Sequence, residues 1–257
     1  MTKLITNLTL LFLVSALAVS VMAFYLWVME NIALLGSITI VVSPLTAILV
    51  GLIGLHLFGR EDFTKEDRFH TMYLLLALGL VVYSVADIAV GLISYMQESE
   101  TFYFLISLTQ FPGILLWAIG VLGYFRTSNV VLMKLNDRSL VGIVIVVPII
   151  AVASLVTVVM LQNPARSLIE VLTTAPVAIA IGVIMVALLL VAIAYRGGRL
   201  SRPLGLATIG LLLIFLRAAL WCCSGYSPVE PLGQAMSVVA YLLIGASLAS
   251  AKTMEES

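Results

Sequence analysis

The stretch Met72–Met96, MYLLLALGLVVYSVADIAVGLISYM, holds one charged side chain, Asp87. An α-helix advances about 1.5 Å per residue, so roughly 20 apolar residues cross a hydrocarbon core about 30 Å thick. Met72–Met96 meets that length without a proline or a charge run to break it. Further runs of the same kind precede it at Leu4–Met29 and Ile38–Phe58. Others follow at Phe102–Phe125, Leu140–Leu161, Ile169–Tyr195, Leu204–Tyr226 and Pro231–Ala251. This pattern predicts an all-α, polytopic transmembrane bundle of about eight helices, a single integral membrane domain over residues 1–257.

Composition points the same way. Of 257 residues, 62% are hydrophobic and 10% charged, against about 25% charged in a soluble domain. Lys plus Arg equals Asp plus Glu, so charge gives no reason to expect a nucleic-acid partner. The two cysteines, Cys222 and Cys223, are adjacent. That placement forms no disulfide framework and, without a histidine cluster, no metal site. No catalytic or phosphate-binding signature motif is present, and no cofactor is implied. Val21-Met22-Ala23 resembles a signal-peptide cleavage site, but the apolar run around it is too long for an h-region, so span one is expected to be an uncleaved anchor.

With the N-terminus inside, eleven basic residues fall on inner segments: Lys3, Arg60, Lys65, Arg68, Arg126, Lys134, Arg138, Arg196, Arg199, Arg202 and Lys252. Arg166 alone is outside, beside Glu30, Glu98, Glu100, Glu170 and Glu230. The positive-inside bias therefore predicts cytoplasmic N- and C-termini, in a prokaryotic cell membrane. Tyr25, Trp27, Tyr95 and Tyr226 then lie near the outer interface, where amphipathic rings are stable. His56 and His70 fall near the inner interface and read as interfacial side chains. The sign-alternating connector Arg60–Arg68 reads as solvated.

The two halves, 1–128 and 129–257, share features that suggest a four-plus-four repeat. Ser43-Pro44 is matched by Ala175-Pro176, Gly79-Leu80 by Gly210-Leu211, and Tyr95 by Tyr226. Leu108-Thr109-Gln110 and Trp117 are matched by Leu232-Gly233-Gln234 and Tyr241. Four spans per half would relate the halves by an axis along the membrane normal.

Asp87 in span three and Arg217 in span seven are the ionisable residues within the apolar runs. Buried charge in hydrocarbon is costly and faces inward or meets a partner. The repeat alignment puts the two at neighbouring positions and similar depth, so an Asp87–Arg217 ion pair is expected. Arg217 cannot deprotonate, which makes the pair a poor proton relay. Tyr83, Asp87 and Ser94 share one helix face; Arg217, Trp221 and Ser224 share another. Gln110 with Trp117, and Gln234 with Tyr241, each recur at i, i+7. Together Tyr83, Asp87, Gln110, Arg217, Trp221, Gln234 and Tyr241 are the candidate ligand-binding set, expected to line a polar-aromatic cavity. Against this stands a purely structural role, a polar lock between the halves.

Two features resemble the lysoplasmalogenase-like family of eight-span membrane proteins. Ser43-Pro44-Leu45-Thr46 stands where that family tends to carry Lys-Pro-Leu, and Ser84-Val85-Ala86-Asp87 looks like its Gly-Asp signature. The resemblance runs loosely over most of the chain, through Pro176 and Tyr241. It implies hydrolysis of a vinyl ether by intramembrane aspartates, one per half, with Asp87 as the candidate catalytic residue. Arg217 stands near the second aspartate position, and Gln110 near a family histidine. The aromatic–Ala-Asp pattern also resembles the multi-span N-terminal modules of prokaryotic sensor kinases, which implies a cytoplasmic signalling partner. Three functions follow in order: a module binding membrane lipids or a small amphiphile for sensing or accessory work; a lipid-modifying hydrolase; a transporter.

Overall fold

A computed structural model describes residues 2–59, 67–93, 100–128, 137–162, 168–224 and 230–255. Its helices are α1 (Thr2–Val28), α2 (Ile32–Phe58), α3 (Arg68–Ile93) and α4 (Glu100–Ser128), then α5 (Asp137–Gln162), α6 (Leu168–Ala194), α7 (Ser201–Ser224) and α8 (Glu230–Glu255). All eight are long and apolar enough to cross a membrane. The protein is therefore a multi-pass integral membrane protein. In a bilayer the backbone has no water to bond, and a continuous helix is the one local structure that satisfies it within the segment. Hydroxyls obey the same constraint. Thr9, Ser20, Thr46 and Thr208 each donate to the carbonyl four residues back. Helices α2, α4, α5 and α6 run through Pro44, Pro112, Pro148 and Pro176 as single elements.

Helices α2, α3, α4, α6, α7 and α8 pack in that order, each on the next, and α8 closes back onto α2. Outside this ring, α1 lies against α8 and α2, while α5 lies against α6 and α7. Helix α8 is the central strut. Some 78% of its spanning segment is buried, against 22% for α1 and 17% for α5. The exposed faces of α1 and α5 are rows of Leu, Val and Ile, as lipid contact requires.

Tight crossings come from small residues. A Cβ on Gly79 would collide with the Trp117 indole and approach the Gly113 carbonyl at 3.0 Å, so α3 and α4 need glycine there. A Cβ on Gly210 would approach the Ala240 carbonyl at 3.0 Å, the corresponding constraint between α7 and α8. Trp117 also donates from Nε1 to the Leu76 carbonyl at 3.1 Å.

The largest departure from the expected spans is α2, which begins at Ile32 rather than Ile38. The cause is the tight α1–α2 turn. Glu30 adopts φ 56°, its N–H reaches the Trp27 carbonyl at 3.1 Å, and the Asn31 N–H reaches the Leu26 carbonyl at 2.9 Å. This is a Schellman cap, which satisfies end carbonyls of α1 and lets α2 start at once. His70 also departs from the interfacial reading: it is buried. Its N–H is capped by the Asp67 carboxylate at 3.0 Å, as the third residue of α3. Its Nε2 lies 2.7 Å from the Phe58 carbonyl at the end of α2. A carbonyl only accepts, so Nε2 carries the proton. His56 is exposed, as expected. Tyr95, Tyr226, Ser94 and the connector residues 60–66 lie outside the described residues.

Candidate functional site

Asp87 sits one turn beyond Tyr83 on α3, towards the end of the bundle away from the termini. Its side chain is sealed from solvent, and the Arg217 side chain is 11% exposed. Arg217 donates from a guanidinium nitrogen to Asp87 Oδ1 at 2.9 Å, the predicted ion pair. The same nitrogen donates to the Ser237 hydroxyl of α8 at 2.7 Å. The second carboxylate oxygen, Oδ2, accepts from Ser43 of α2 at 2.7 Å and from the Tyr241 hydroxyl of α8 at 2.7 Å. One carboxylate thus joins α2, α3, α7 and α8.

Helices α3 and α7 do not pack on each other among the described residues. The long Arg217 side chain spans the distance and passes Gly233, where a Cβ would lie 3.4 Å from Arg217 Cγ. Charge and hydrogen bonding combine here because each alone would be inadequate. A buried ion with unfilled lone pairs costs several kcal/mol, whereas Asp87 meets one cation and two hydroxyls.

The other sequence-predicted residues surround this network unevenly. Tyr83 is buried and stacks on Trp117, with ring centroids 5.0 Å apart at 27°. Gln110 is buried on α4, and its Oε1 has no hydrogen-bond partner among the described residues. Gln234 is buried one turn before Ser237. Trp221 is half-buried on α7. Two network members, Ser43 and Ser237, were not in the predicted set. Ser237 falls between Gln234 and Tyr241 at i+3 and i+7, a polar stripe on one face of α8 that the sequence does carry.

A groove opens beside the network. Ser20, Phe24 and Trp27 of α1 form one wall; Leu213 of α7 and Leu232 and Met236 of α8 form the other. Its volume is about 340 Å³, and none of the seven predicted residues lines it. It is apolar because it faces the bilayer side of the strut, while the polar side chains turn inward. Leu213 lies one turn before Arg217, and Met236 directly precedes Ser237, so the groove and the network share two helices.

Comparison with protein-family models, curated proteins and solved structures gives no match. No group of His, Cys, Asp or Glu suited to a metal ion occurs among the described residues.

Proposed function

We propose that this protein binds a membrane lipid or small amphiphile in the groove between α1 and α7–α8. It then acts as a sensing or accessory module through a cytoplasmic partner. The observation that carries this reading is the groove itself: apolar, bordered by the amphipathic Trp27, and about 340 Å³ in volume. Ligand pockets begin at about 300 Å³. An acyl chain seated there would press on Leu213 and Met236, the neighbours of Arg217 and Ser237. Through them it would bear on the hydrogen-bonded network that ties α2 and α3 to α7 and α8. The basic residues near the termini favour placing that end in the cytoplasm of a prokaryotic cell.

The hydrolase reading is weaker on chemical grounds. A general base needs a free lone pair within reach of its substrate. Three donors occupy most of the Asp87 carboxylate, its side chain is sealed from solvent, and Arg217 replaces the second carboxylate that the family resemblance would require.

A phospholipid with a photoactivatable acyl chain, incorporated into vesicles with the full chain, tests the binding. Label should concentrate on residues 20–27 and 232–239, and Met236→Trp should reduce it several-fold by filling the groove. Label spread evenly over the lipid-facing helices, or indifferent to Met236→Trp, would remove the proposal.

A further inference from the structure

A second groove lies at the opposite end of the bundle, where both termini are. Thr6, Asn7 and Thr9 of α1 line it with Ser250 and Thr253 of α8 and Arg202 in the first turn of α7. Its volume is about 300 Å³. Leu10, Leu13 and Met254 complete the lining. Leu10 is one turn deeper than Thr6, about 6 Å along the helix. The α1 wall of the groove therefore turns from polar at Thr6 and Asn7 near the membrane surface to apolar at Leu10 and Leu13 below it, the polarity of an amphiphile inserted head-out.

Arg202 is exposed, and no acidic side chain pairs with it among the described residues. Ser250 is 5% exposed, and the Asn7 amide is exposed. A serine hydroxyl and a carboxamide beside an exposed guanidinium are donors that a phosphate oxygen can accept from. Arg196 and Arg199 lie within the same short α6–α7 turn, are exposed, and also lack a described acidic partner. They raise the local positive potential that attracts anionic lipids. Below the head, Thr6, Leu10, Leu13 and Leu17 fall on one face of α1 at helical spacing. Leu10 and Leu17 are exposed, so that face gives an acyl chain a continuous apolar track.

We propose that this groove is a site for an anionic phospholipid. Arg202 and the Ser250 and Asn7 side chains hold the phosphodiester, and one chain lies along Leu10 and Leu17. The site does not depend on the groove at the other end, and filling that one by Met236→Trp should leave it intact.

Native mass spectrometry of the full chain, released from detergent with equimolar dioleoyl phosphatidylglycerol and phosphatidylcholine, tests it. Wild type should retain the anionic lipid about fivefold over the zwitterionic one, the effect of one basic residue at a membrane surface. Arg202→Gln should bring the ratio near one, and Arg196→Gln should leave most of it. Ser250→Leu keeps every arginine but fills the groove, and should also abolish the preference. Thermal midpoints in detergent check that each variant is folded. Equal retention of the two lipids by wild type would overturn the proposal. So would a preference that survives Ser250→Leu, which would reduce it to diffuse surface charge. Inorganic phosphate that displaces the lipid at millimolar concentration would reassign the site to a water-soluble anion.

Discussion

The two ends of the bundle bury polar groups in different ways. Away from the termini, Asp87, Arg217, Ser43, Ser237 and Tyr241 bond side chain to side chain across four helices. Near the termini, the tie runs mainly through rings and backbone, with one long side-chain bond between Ser247 and the Tyr73 hydroxyl at 3.4 Å. Phe58 stacks on Tyr73 with centroids 5.5 Å apart, and the Lys252 ammonium lies 5.6 Å over the Phe58 ring. His70 meets the Phe58 carbonyl, and Ser247 donates to the Pro203 carbonyl at 2.6 Å. Tyr124 stacks on Tyr195, which extends the aromatic layer to the end of α6. The difference reflects what each depth leaves unsatisfied. Within a helix the backbone is already paired, so a charge must find another side chain. At helix ends free carbonyls remain, and donors such as His70 close them.

The largest effect should come from breaking the charge pair. Arg217→Met leaves Asp87 buried without its cation, and such a loss costs about 3–5 kcal/mol. The double variant Asp87→Leu with Arg217→Met removes both charges and should recover much of that. Denaturant titration of the purified protein in mixed micelles reads both. If Arg217→Met unfolds at the wild-type midpoint, the network is not what joins the two sets of helices.

At the other end a single residue should matter less. His70→Leu removes the donor to the Phe58 carbonyl and should cost about 1–2 kcal/mol. His70→Gln can present an amide nitrogen near the position of Nε2, and should lose clearly less than His70→Leu. Equal losses in the two variants would mean that ring packing, not the hydrogen bond, holds α2 to α3.

The same contrast explains what could be read from the sequence. The spans were legible because hydropathy and length decide them before any tertiary contact forms. Asp87 and Arg217 were legible because charges inside apolar runs are rare, and matching depths in two halves left few partners. Their duplication into related halves remains a proposal, supported by the paired glycine crossings at Gly79 and Gly210. Ser43 was not legible, and Ser237 was marked only by its place on the polar stripe of α8. A serine in a transmembrane helix ordinarily bonds its own backbone, as Ser20 does, and composition does not mark those that reach across, as Ser43 does. The His70 contact was hidden for another reason. It depends on where α2 stops relative to α3, which the intervening charged connector does not disclose. The groove was missed because its lining is apolar on helices that are apolar throughout.

The finest test of the comparison is Tyr241→Phe. The Tyr241 ring is fully buried, so phenylalanine keeps the packing and deletes one of the three donors to Asp87. Interhelical hydrogen bonds in membranes average about 0.6 kcal/mol and reach about 1.7. A value in that range is expected, well below Arg217→Met, because Ser43 and Arg217 still hold the carboxylate. A loss as large as that of Arg217→Met would mean that the hydroxyl, not the charge, is the essential arm. The network would then be a hydrogen-bonded latch centred on α8, and a ligand in the neighbouring groove would act on Tyr241 before it acts on the ion pair.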